Sequence, residues 1–205
     1  MRATVRERLG DTEGAKRDRT LGMKTPPNDA DSWIARGMER VSKDPAGALA
    51  DFVQGEKRNP RSIHALKNQA YILGEVQKKH AEALAVLDRL VERHPNFIEG
   101  RISRGVLLAR LGRTKEAVKE AEECVKLSSQ PEIQYRAACI YALASQGDTK
   151  LLRESRRLLA SALIGGWGYQ WLLIDDDLAA LRKQVGFQDL LDVVKLLQGW
   201  QKPAK

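Results

Sequence analysis

Small residues that return every 33 to 35 positions constrain this chain more than any other feature. Gly37, Ala70, Gly105 and Cys139 are spaced 33, 35 and 34 residues apart. Ala48, Ala83 and Ala117 follow at 35 and 34, and Pro60 and Pro95 lie 35 apart. A single helical hairpin leaves one apolar face uncovered, so a chain that repeats the hairpin can bury that face only by stacking neighbours. Small side chains let two helix axes approach to about 8 Å. Glycine inside a helix costs about 1 kcal/mol relative to alanine, so Gly37 and Gly105 at equivalent positions point to a tight crossing.

A larger residue precedes each small one by four positions: Trp33, Leu66, Arg101 and Tyr135. With Phe52 and Leu87 following Ala48 and Ala83, this resembles the tetratricopeptide repeat, W-x2-L-G-x2-Y, then A-x3-F, then P over about 34 residues. The first unit is one residue short in its turn, "SKDPAG", and the second is one residue long. The third has Arg101 in the aromatic position and Ser129 in the proline position; the fourth lacks the second-helix alanine. The resemblance spans residues 31–164, divided as 31–62, 63–96, 98–130 and 132–164. It implies an all-α chain, a right-handed solenoid of about four helical hairpins with a C-terminal helical cap.

The flanks break the period. Residues 1–30 are polar and basic and end at "KTPPNDAD"; their composition predicts a flexible lead-in, with Pro26 and Pro27 interrupting any helix before Asp31 caps the first repeat helix. Residues 165–200 open with Gly165 and Gly166, which stop a helix. Trp167, Tyr169, Trp171, Leu172 and Leu173 then form an expected apolar cluster, and a short helix capped by an aspartate, a turn at Gly186 and a final amphipathic helix follow. That segment is expected to cover the last apolar face of the stack, leaving 201–205 as a tail. "DDDLAALRKQVGFQDLL" is similar to the end-of-array segment of bacterial tetratricopeptide proteins, among them the C-terminal tails of planctomycete-type serine/threonine kinases. The kinase signatures themselves are missing from the sequence.

Little else in the chain suggests chemistry. His64, His80 and His94 are far apart and carry no metal-ligand spacing, and Asp175, Asp176 and Asp177 read as a helix cap. No nucleophile elbow, phosphate loop or dinucleotide fingerprint occurs. Cys124 and Cys139 sit in apolar helical patterns as buried free thiols. The expectation is a non-enzyme without cofactor or metal. No apolar run reaches the roughly 20 residues of a membrane span, and the start lacks the order of a secretory signal, so a cytoplasmic protein is expected. The formal net charge of +8 is dispersed, and "GRTKEAVKEAEE" and "KLLRESRR" read as solvated faces with i,i+4 pairs, which disfavours a nucleic-acid partner.

The repeat resemblance implies a concave groove lined by the first helix of each unit. By register it offers Ile34 and Met38, then Lys67, Asn68 and Tyr71 with His64, then Ile102, Val106 and Arg110, then Arg136 with Ile140. The family's carboxylate clamp is not matched: Ile34, Met38, Glu99 and Ser103 occupy four of its five positions and only Asn68 agrees. The expected function is a protein-interaction scaffold holding a protein or peptide segment in the groove. The alternative is a regulatory or targeting module of a kinase-type signalling system.

Overall fold

The computed structural model describes residues 2–24 and 27–200. Pro26 and the tail 201–205 lie outside them. All regular secondary structure among the described residues is helical. The chain divides into two compact units, Met1–Lys79 and His80–Lys205.

The first unit begins with a helical hairpin, α1 (Arg2–Arg8) and α2 (Thr12–Lys24), where composition predicts a flexible lead-in. Gly10 makes the turn at φ +80°, and the Asp11 carboxylate accepts from the Gly14 N–H at 2.8 Å as the cap of α2. Ala15 is buried at the crossing. The charges that look like disorder in the sequence pair between the helices, Arg2 with Asp18 at 2.7 Å and Arg19 with Glu7. Proximity across a hairpin is the term that composition leaves out.

Helices α3 (Ala30–Arg40) and α4 (Pro45–Arg58) form the next hairpin. The cap of α3 is Asp29 rather than Asp31. Asp29 is the residue with extended backbone, and its carboxylate accepts from the Ser32 N–H at 2.8 Å, whereas Asp31 already lies in the first turn. Asp44 caps α4 through the Gly47 N–H, and Pro45 occupies its first turn. Helix α5 (Ile63–Tyr71), capped by Ser62, runs into a π-helical turn over Ile72–Val76. There the Gln77 N–H bonds to the Ile72 carbonyl at 2.9 Å, five residues back. The residue that lengthens the second period is thus absorbed by widening the helix. Ala48, Phe52 and Ile72 form the core of this unit, with Ile34, Val41 and Leu49 packed against it.

The second unit contains α6 (His80–Arg93), α7 (Ile98–Arg110), α8 (Thr114–Leu127), α9 (Pro131–Ala144) and α10 (Thr149–Ile164). Each packs on the next, and α7 also reaches α9. Ala83, Ala117 and Ala121 are fully buried, as is Leu90, so the recurring alanines of the sequence sit at helix contacts.

Helix α10 ends at Gly165 and Gly166, the latter at φ +83°. A loop then leads to a 3-10 turn at Asp176–Leu178, α11 (Ala179–Arg182), a turn at Gly186 with φ +91°, and α12 (Phe187–Trp200). Tyr135 of α9 meets Trp167 edge-on at 5.1 Å and Trp171 at 6.4 Å. Leu172, Leu178 and Leu181 are at most 1% exposed, each contributing about 2 kcal/mol of apolar burial. Leu173, expected in this cluster, is 61% exposed, because the loop turns its neighbour Leu172 inward instead.

Candidate interaction surface

Two buried carboxylates organise the hairpins. Asp51 of α4 is 2% exposed and accepts from Arg36 Nε at 2.9 Å, Arg36 Nη2 at 2.7 Å and Arg40 Nη1 at 3.1 Å. Glu120 of α8 is 4% exposed and accepts from Arg101 at 2.9 Å and Arg104 at 2.7 Å. Arg36 and Arg104 each directly precede the recurring glycine, and Asp51 and Glu120 each lie three residues after the recurring alanine. The same stitch therefore closes both hairpins. In the last hairpin Ser155, also buried, donates to the Ala138 carbonyl at 2.8 Å from the corresponding place. The solvated-face reading of "GRTKEAVKEAEE" fails at Glu120, because that position points toward α7.

The nine groove residues divide between the units and between two environments. Ile34 is part of the α3–α4 packing, where its side chain fills the space a Cβ on Gly55 would take. Ile102 is 2% exposed and also belongs to the core. Ile102 therefore lines no surface, whereas Ile34 is half-buried against α4. His64 is exposed, and Ile140 is fully buried.

Met38 is 55% exposed and Tyr71 51% exposed. Lys67 is exposed on the same side of α5 as Tyr71, four residues earlier, with Asn68 half-buried beside it. Val106 is half-buried. Arg110 is tied to Asp177 of the cap at 3.2 Å, and Arg136 lies 3.8 Å from Glu132 on its own helix. The presented set is thus Met38, Lys67 and Tyr71 with half-buried Ile34 and Asn68 in the first unit, and half-buried Val106 with two ion-paired arginines in the second.

Burial holds the two thiols and Tyr135 of the second unit in their neutral forms. Burial pushes the Cys124 thiol up to about 12, with the nearby Glu120 carboxylate adding to the shift. Burial likewise raises Cys139, helped by Asp175, whose carboxylate is 3.6 Å from its sulfur. Tyr135, raised chiefly by burial, donates to the same carboxylate at 3.1 Å. Asp175 also accepts from the Asp177 N–H at 3.0 Å, so it caps the 3-10 turn and anchors it to α9. Thiols kept protonated are poor nucleophiles. No group of three or more His, Cys, Asp or Glu among the described residues is placed to hold a metal ion. No described helix is long and apolar enough to cross a membrane.

The tetratricopeptide repeat family matches residues 65–96. A tetratricopeptide repeat protein from Parabacteroides merdae superimposes with a TM-score of 0.69 at 18% identity, over 95% of this chain and 77% of that one. The fold is that of tetratricopeptide repeat proteins. PilF of Pseudomonas aeruginosa is similar in structure at a TM-score of 0.65 and 19% identity, covering 99% and 90% of the two chains. MamA is similar at 0.63 and 16% identity, over 80% of this chain and 94% of its own. No curated protein matches the sequence. The tetratricopeptide fold explains why Gly37, Ala70, Gly105 and Cys139 are all buried: they are its helix-crossing positions.

Proposed function

We propose that this protein is a non-catalytic interaction scaffold that binds a segment of another protein on the first helices of its repeats, α3 and α5 of the first unit. The observation that carries this reading is the contrast within the first unit. Ile34 and Ile72 pack on one core, while Met38, one turn beyond Ile34, and Tyr71, next to Ile72, hold about half their surface in water. Rigid helices that present a methionine and a tyrosine beside Lys67 and Asn68 offer apolar contact with polar orientation, the mixture that helical grooves use for peptides. The fold of its structural neighbours and the protonated thiols support a scaffold over an enzyme.

Within this reading, the likeness of residues 175–191 to kinase-linked repeat tails makes a serine/threonine kinase the first partner class to test. Capture from native lysate with the wild type, Tyr71→Ala and Lys67→Glu, each checked for helicity, tests the surface. The reading expects a partner recovered by the wild type and lost at least about tenfold in the variants. Equal recovery by all three defeats it.

A further inference from the structure

A second surface lies on the opposite kind of helix, at the C-terminal end of the fold. Within "KLLRESRR", the stretch that reads in sequence as a solvated face of paired charges, only Arg157 is paired, with Glu154 at 2.9 Å. Ser155 turns inward to the Ala138 carbonyl. Besides the exposed Lys150, Arg153 and Arg156 remain, both exposed and neither ion-paired among the described residues. They face an open cleft of about 600 Å³ between α10 and the start of α12, whose floor is Ala160 and Leu190. Gly186 brings the chain close on the far side. A Cβ there would come within 2.8 Å of the Arg156 guanidinium, so the turn's φ of +91° and its lack of a side chain together leave room for that arginine.

We propose that this cleft binds an acidic peptide segment of a protein partner, in extended form, with carboxylates on Arg153 and Arg156 and a small apolar side chain on the Ala160 and Leu190 floor. The charge pattern chooses the occupant. Two free guanidinium groups separated by one turn of helix match carboxylates two to three residues apart in an extended chain. No aromatic side chain lines the cleft to stack a base, which argues against single-stranded nucleic acid. The cleft shares no residue with the surface on α3 and α5, and neither proposal rests on the other.

The test uses the full chain and fluorescence anisotropy with a labelled peptide, Glu-Leu-Glu-Glu-Leu-Glu, against its all-Gln analogue and a labelled oligothymidylate of similar length. The proposal expects the Glu peptide to bind at least about tenfold more tightly than the Gln peptide, and Arg153→Glu with Arg156→Glu to abolish the difference. The paired control reverses Lys115 and Lys119, two exposed charges on α8, and leaves binding within about twofold of the wild type. Equal loss in the control, equal affinity for the Gln peptide, or oligothymidylate bound more tightly than the Glu peptide each overturns it. Arg156→Gln, which adds no negative charge, separates lost attraction from new repulsion; it weakens the Glu peptide at least about threefold, and unchanged binding defeats the proposal.

Discussion

The hairpins α3/α4 and α7/α8 carry the same glycine, the same alanine and the same buried carboxylate, yet they fill the space above the glycine from different places. A Cβ on Gly37 would meet the ring of Phe52 at 2.7 Å, and Phe52 belongs to the same hairpin. A Cβ on Gly105 would meet Cδ1 of Ile140 at 2.7 Å, and Ile140 comes from α9, the first helix of the next hairpin. The cause is one substitution. Ala121 stands where Phe52 stands in the earlier unit, and the volume it gives up is taken by the neighbour. The α3/α4 hairpin closes on itself, whereas α7/α8 is completed by the helix that follows.

The sharpest way to break this contrast is to empty each filling site. Phe52→Ala should lower stability by about 4 kcal/mol in urea denaturation and Ile140→Ala by about 3 kcal/mol. If α7/α8 depends on α9 as the packing implies, Ile140→Ala should also raise amide exchange in α7 as well as α9. Protection loss confined to α9 would contradict that dependence.

The buried carboxylates come next. Asp51→Ala and Glu120→Ala each leave two arginines without their partner in a poorly hydrated place, and each should cost about 3 kcal/mol. Because Arg36 stacks over Trp33 at 4.5 Å, whereas Arg104 also binds Asp88 at 2.7 Å, the second loss is the better cushioned of the two. A cost under 1 kcal/mol at both sites would mean that the stitch only orients the helices.

The glycines give a smaller and more discriminating measurement. Gly37→Ala must displace a ring edge and should destabilise by about 2 kcal/mol. Gly105→Ala pushes on the mobile end of an isoleucine and regains helix propensity, so its net effect should fall within about 1 kcal/mol of zero. Phe52→Leu should rescue Gly37→Ala in a double-mutant cycle.

An effect that is absent near neutral pH is the alkaline dependence of stability. Cys124 is held above its ordinary value of 9.0, at about 12, so from pH 9 upward the unfolded chain sheds this proton while the folded chain keeps it. Stability should therefore fall as pH rises from 9 toward 12, and Cys124→Ala should flatten part of that slope. An identical slope in the variant would place the alkaline loss elsewhere.

Much of this was legible in the primary structure. The period placed the helix crossings, because a residue that must be small announces itself by recurring, and the structure buries every member of the series. The extra residue of the second unit was visible as a count, though its accommodation as a π-helical turn was not. The stitch was also written in the chain, as an arginine before Gly37 and Gly105 and an acid three after Ala48 and Ala117, where the unit between them has Val86 instead. Glu120 sits in a run of charges with Lys119, Glu122 and Glu123, and composition alone does not mark the one that turns inward. Register placed Met38, Lys67 and Tyr71, which are exposed, and Ile102, which is buried, on first helices alike, since register gives the helix but not the side of it that is covered.

What the sequence determined by itself was therefore the unit: its length, its two helices and the positions where backbones must approach, all set by local propensity and by side-chain volume. Tertiary structure decided which unit supplies the missing volume, which charges leave water, and which arginines of "KLLRESRR" stay free to meet something else. Those outcomes depend on distances between residues far apart in the chain, and helical periodicity carries no record of them.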